Sequence, residues 1–162
     1  MNELDKLLIE RECHKLMVDY NIYNDALDIE NFLTLWTEDC VFSRVVPEPV
    51  FQVSGHDGLR AAMEHIIIGS DRLRRHLLVN PKITVHDADN AAGFCLGLAI
   101  YGPAGERSLP VAMGGVELVG EYRDLYRRTS EGWKIERREL TRVIDLDVSR
   151  LGPGPIDLGH GL

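Results

Sequence analysis

Residues 74–85 read Arg74-Arg75-His76-Leu77-Leu78-Val79-Asn80-Pro81-Lys82-Ile83-Thr84-Val85. Leu77, Val79, Ile83 and Val85 alternate with more polar positions, the period of a half-buried strand. His76, Leu78 and Asn80 share the opposite parity. Here the chain changes its repeat: mostly helical steps come before this stretch, and strand steps come after it.

Upstream, Ile9, Cys13, Leu16, Met17, Tyr20, Tyr23 and Leu27 recur at three- and four-residue steps, which predicts one face of a long helix. Asp28 breaks that pattern. A second short helix is predicted through Phe32, Leu33 and Trp36, ended by Thr37-Glu38-Asp39 before a strand at Val41-Phe42. Pro47 and Pro49 mark a loop. Ser54-Gly55-His56-Asp57-Gly58 reads as a turn into a third helix, with Ser54 or Asp57 as N-cap and Leu59, Met63, Ile66 and Ile67 as its apolar stripe. Downstream, strands are predicted at 93–101, about 116–128 and 133–146, with Ser130-Glu131-Gly132 as a hairpin turn. Helices first and antiparallel strands after them make an α+β domain over residues 1–150. The Gly/Pro-rich tail, 151–162, is expected to be irregular. A curved sheet with helices on its concave side leaves a cavity between the layers, and a small ligand belongs there.

Composition narrows the function. The chain has 162 residues and a net charge of −8 with histidine neutral. That is one domain with a sizeable core, and its charge argues against nucleic acid or an acidic membrane surface as partner. No apolar run approaches the roughly 20 residues of a membrane span. Cys13, Cys40 and Cys95 form no Cys-x-x-Cys pair, and the N-terminus lacks the pattern of a secretory leader. A reducing, cytoplasmic setting is the expectation. No motif calls for a metal or a nucleotide cofactor.

Four residues are candidates for chemistry. His76, if it faces the helices, lies in an apolar cavity and can move a proton near neutral pH once a carboxylate orients it; the alternative is a core histidine bonded to a backbone carbonyl. Asp28 stands where the first helix ends, a place the helix dipole makes unfavourable for a carboxylate. It can cap the second helix, bond a histidine across the cavity, or do both. Tyr23, or Tyr20 one turn earlier, can donate to a developing oxyanion or simply pack. Arg142 falls on the apolar parity of the last strand, between Leu140 and Ile144, if a bulge near Arg137 to Glu139 reconciles it with Trp133 and Ile135. Buried there, it needs an anionic partner; at a frayed strand end it needs none. Trp36, Phe42, Asn80, Phe94, Leu98 and Met113 are expected to line an apolar ligand site with Tyr20.

Tyr23 to Phe32, Trp36 to Phe42, Gly55 to Leu59, Arg75 to Asn80, Gly120 to Asp124 and Gly132 to Ile135 together resemble the SnoaL-like proteins of the nuclear transport factor 2-like superfamily. The resemblance spans about residues 5 to 146 and implies a cone-shaped fold with one pocket. Within that superfamily the chain resembles scytalone dehydratase, bile acid 7α-dehydratase and hexachlorocyclohexane dehydrochlorinase. Their dyad implies that Asp28 and His76 eliminate water or HCl without a cofactor. Likewise, the bile-acid enzyme's tyrosine and arginine fall on Tyr23 and Arg142. The implied activity is that of a dehydratase-like lyase or isomerase acting on a small apolar, even polycyclic, molecule. The resemblance also implies a homodimer or homotrimer. A rival within the fold is the non-catalytic β subunit of an aromatic-ring-hydroxylating dioxygenase, or a plain ligand-binding domain.

Overall fold

The computed structural model describes residues 1–46, 50–68 and 71–144. The tail at 151–162 and the loop prolines, Pro47 and Pro49, lie outside them. Helix α1 spans Glu3–Ala26 and α2 spans Ile29–Thr34. Strands β1 (Trp36–Val46) and β2 (Phe51–Ser54) follow, then α3 (Gly55–Ala62), which runs into a π-helical turn at Met63–Ile68. Strands β3 (Arg72–Val85), β4 (Asn90–Ala104), β5 (Gly115–Thr129) and β6 (Gly132–Arg142) complete the chain's described part. The six strands form one sheet in the order β2-β1-β6-β5-β4-β3. Every pairing is antiparallel except β1 with β6. This is the α+β, helices-on-sheet architecture that the change of repeat at 74–85 implies.

Helix α1 begins with a capping box: the Asn2 side chain accepts from the Asp5 N–H, and the Asp5 carboxylate accepts from the Asn2 N–H. It buries Ile9, Cys13, Leu16, Met17, Tyr20 and Asn24. These meet Cys95, Tyr122, Tyr126 and Ile135 of the sheet in the main core. Gly93 on β4 permits the close approach, since a Cβ there would lie 2.5 Å from the Met17 Cε and 2.8 Å from the Tyr126 ring. Behind Tyr20 sits an ion pair with both side chains out of solvent. Arg138 Nε and Nη2 each donate to the Asp124 carboxylate at 2.7 Å, and the Tyr126 hydroxyl donates to it at 2.6 Å. The Arg138 guanidinium lies over the rings of Tyr20 (3.9 Å) and Tyr122 (4.8 Å).

Several local expectations are corrected. Helix α1 ends earlier than its apolar pattern, because Leu27 adopts a left-handed conformation (φ 58°) and turns outward. Thr37, Glu38 and Asp39 are not a helix stop but the start of β1, which already pairs with β6 at Trp36. Ser54 holds the N-cap position of α3 without a side-chain hydrogen bond. On β6 a bulge does occur, at Glu136: Ile135 and Arg137 pair with the consecutive residues Tyr126 and Leu125. That extra residue puts Ile135, Arg138, Leu140 and Arg142 on the concave side. β6 stops at Arg142, short of the expected 146.

Candidate active site

The last two turns of α1 set the site. Positions four apart in a helix share a face, so Tyr20 and Asn24 both look into the space between α1 and the sheet. Asp25, one step of about 100° round from Asn24, reaches β3 instead. Its Oδ2 accepts the His76 backbone N–H at 2.9 Å, and its Oδ1 lies 2.6 Å from His76 Nδ1. An ionised carboxylate can only accept, so the proton of that contact belongs to Nδ1. In the neutral imidazole the lone pair then falls on Nε2, and His76 lines the cavity. Ala99, the cross-strand partner of His76, is small and buried and leaves the ring room. Both members of the pair are shielded, with side chains 11% (His76) and 14% (Asp25) exposed.

Asp28 is therefore not the partner of His76. The left-handed Leu27 reverses the chain just before it, and Asp28 becomes the N-cap of α2. Its carboxylate accepts from the Asn31 backbone N–H at 3.1 Å and from the Asn31 side-chain amide at 2.7 Å. Those two bonds, the side-chain one foremost, hold its carboxyl below the usual carboxylate range. Of the two jobs open to Asp28 in the sequence, it does the local one.

The cavity measures about 170 Å³. Its apolar wall includes Phe32, Phe42, Phe51, Leu59, Met63, Leu118 and Leu140. Its polar lining is Tyr20, Asn24, Arg44, Arg74, His76, Glu117, Tyr122 and Arg142. Arg74 is engaged bidentately by Glu117 at 2.6 and 3.1 Å. Burial pushes the Tyr20 hydroxyl upward, and the neighbouring Arg138 pulls it partly back. Tyr20 thus keeps its proton and can donate it.

Of the predicted ligand contacts, Tyr20 and Phe42 line the cavity, as does Arg142. The others do not. Tyr23 packs against the core, partly buried, and is not part of the cavity wall. Trp36 is buried beneath the cavity against the rings of Tyr20, Phe32 and Phe42. Asn80 is thrown outward by a bulge between Val79 and Lys82, with φ 52°. Leu98 pairs with the exposed Leu77, so it faces away from the His76–Ala99 side. Met113 is 70% exposed in the β4–β5 loop. Sequence reasoning missed Asp25, Asn24, Arg44, Arg74 and Glu117. A usable signal existed for Asp25, which lies in the last turn of α1 with no basic residue there to offset it.

Fold and site together define a small α+β domain with a cavity between helix and sheet and a histidine–carboxylate pair in its wall. The chain belongs to the SnoaL-like domain family, whose profile matches residues 5–139. A comparison with curated proteins returns no match. Among solved structures, a protein of Novosphingobium aromaticivorans provisionally named a scytalone dehydratase is 26% identical, with a TM-score of 0.71 over 86% of this chain and 87% of its own. LinA is 16% identical, with a TM-score of 0.75 over 96% of this chain and 100% of its own. The β subunit of a provisionally named aromatic-ring-hydroxylating dioxygenase from N. aromaticivorans is 14% identical, with a TM-score of 0.68 over 85% of this chain and 90% of its own. At those identities LinA and the β subunit show a shared fold. No helix among the described residues is long and apolar enough to cross a membrane.

Proposed function

We propose that this pocket carries out acid–base chemistry without a cofactor, as a dehydratase-like lyase or an isomerase, with His76 as the proton-transfer group and Asp25 as its positioning residue. The observation that carries the reading is the double grip of Asp25 on His76 in the cavity wall, which in the neutral imidazole favours the tautomer with its lone pair on Nε2. The placement of that pair in the cavity wall favours the catalytic reading over a structural subunit or a passive binder.

In this reading Nε2 takes a proton from a carbon next to a carbonyl. The resulting imidazolium is stabilised by the Asp25 carboxylate, which stays ionised. The electron pair moves onto the carbonyl oxygen, where the Tyr20 hydroxyl donates a hydrogen bond. The imidazolium then returns its proton, either to a leaving hydroxyl that departs as water or to another carbon. No electrons are gained or lost overall. General acid–base catalysis of this kind is worth about two to four orders of magnitude. Exclusion of water by the Phe42, Phe51 and Leu118 wall strengthens each polar contact.

The test follows proton exchange, which needs no product assay. Small cyclic ketones and β-hydroxy ketones are incubated in deuterated buffer with the protein, and loss of the α-proton signal is followed by NMR. Wild type should accelerate exchange for at least one of them, and His76→Ala should abolish the acceleration. Exchange at the buffer rate for every compound, or equal exchange by His76→Ala, overturns the proposal.

A further inference from the structure

The charges on the cavity wall do not cancel. Arg74 is neutralised by Glu117 (2.6 Å), and Asp25 is matched to His76 (2.6 Å). Two further guanidiniums, Arg44 on β1 and Arg142 on β6, also line the cavity. The Nε of each is buried and has no hydrogen-bond partner among the described residues. Arg44 has an aromatic neighbour, the Phe51 ring at 5.9 Å, which supplies no acceptor.

The register places the two arginines side by side. Arg44 pairs with Leu140 in the parallel β1–β6 ladder, and Arg142 lies two residues beyond Leu140 on the same face. Both line the same cavity from adjacent strands, within reach of each other's long side chains. Like charges so placed repel, and a guanidinium N–H removed from water without an acceptor is costly. Gly120, the β5 partner of Arg142, contributes no side chain to answer it. An anion between the two groups removes the repulsion and supplies the missing acceptor.

We propose that the ligand of this cavity is a carboxylate with a ring-sized apolar body, its carboxylate held by Arg44 and Arg142. A carboxylate offers about four acceptor sites, enough for two guanidiniums at once. The ring lies against Phe42, Phe51 and Leu118, and the space of about 170 Å³ suits one ring with short substituents. Sheet order sets the ligand's direction. β6 and β3 are separated by β5 and β4, so the anion and His76 occupy opposite ends of the cavity. The carboxylate is then the handle, and the carbon presented to His76 is at the far end. This last point rests on the acid–base reading above; the arginine clamp does not.

Equilibrium binding tests the clamp, independently of the proton exchange that tests the dyad. Phenylacetate and its neutral isostere phenylacetamide are titrated into the full chain by calorimetry and by ligand-observed NMR. Wild type should bind the acid at least about tenfold more tightly than the amide, as expected for charge-assisted bonds. Arg44→Gln and Arg142→Gln should each lose about tenfold for the acid while leaving the amide unchanged. The preference for acid over amide in wild type is itself a readout that requires no variant to fold. Equal affinity for acid and amide, no saturable binding of either, or an acid preference that survives both substitutions overturns the proposal.

Discussion

The Asp25 carboxylate holds His76 at two points, the backbone N–H (2.9 Å) and the ring Nδ1 (2.6 Å), so the strand and the imidazole are fixed by one side chain from α1. A single bond would leave the ring free to turn about its χ angles. Two bonds from one carboxylate tie the ring's orientation to the backbone of β3 and couple the end of the helix to the sheet. Asp25 also stands in the last turn of a helix, where its charge is unfavourable. The two hydrogen bonds offset that cost and give the placement a purpose.

The first prediction separates two carboxylates three residues apart. Asp25→Asn keeps the shape but offers one acceptor where two are used, and its amide can favour the wrong tautomer. Proton-exchange or turnover rates should fall by about two to four orders of magnitude. Asp28→Asn should leave the rate within about twofold, because asparagine caps a helix as well as aspartate. Equal losses in the two variants would return Asp28 to the site.

A pH experiment reads the Asp28 cap directly. Its carboxyl is held below the ordinary value of 3.8, mainly by the Asn31 side-chain amide and then by the Asn31 N–H. A carboxyl depressed in the folded state stabilises the fold above its unfolded value, and that contribution is lost as pH falls through the folded value. The melting temperature of wild type relative to Asp28→Asn should therefore be constant from pH 7 to 5 and drop below about pH 4. A difference that stays flat to pH 2 would contradict the cap's electrostatic part.

How much of this was readable beforehand depends on the distance over which each feature is decided. The buried face of α1 at Ile9, Cys13, Leu16, Met17 and Tyr20 follows from helical periodicity alone, which is local. Arg142 is legible because a bulge reconciles the parity of Ile135 with that of Leu140, although the bulge falls at Glu136 rather than between Arg137 and Glu139. Asp25 is less legible in the sequence, because the end of α1 turns on Leu27, an apolar residue in a conformation that usually selects glycine or asparagine. Asn80 turns on which face β3 presents, and the bulge between Val79 and Lys82 reverses that count. Leu98 is one residue out of step with Ala99, the buried residue of β4 that faces His76. Arg44 was out of reach, since its importance comes from lying beside Arg142 across a parallel pairing.

Thiol chemistry offers a check on the core. Burial pushes Cys13 up to about 12 and Cys40 and Cys95 up to about 11. The thiolate is the reactive form, so at pH 8 almost none is present. Iodoacetamide at pH 8 should modify none of the three within an hour in native protein and all of them in urea, counted by intact mass. Rapid modification of Cys13 or Cys95 in native protein would show that α1 does not seal the sheet as described.

The Asp124–Arg138 pair supports the floor of the cavity through Tyr20, and its removal should be felt in stability before activity. Both side chains are essentially out of solvent. Asp124→Ala leaves a buried guanidinium without its two acceptors and the Tyr126 hydroxyl without its one. Breaking such a pair from one side costs about 3–5 kcal/mol, read as a shift of the urea midpoint. Replacing both partners, Asp124→Leu with Arg138→Met, removes the stranded charge as well. The double variant should recover most of the loss, since an apolar pair of similar volume is often as stable as a buried ion pair. Arg138 also lies over the Tyr20 ring at 3.9 Å. The double variant should therefore fold well yet bind ligand less tightly, because Tyr20 has lost the group that holds it in place. A double variant no more stable than Asp124→Ala would mean that the pair contributes packing shape rather than charge balance.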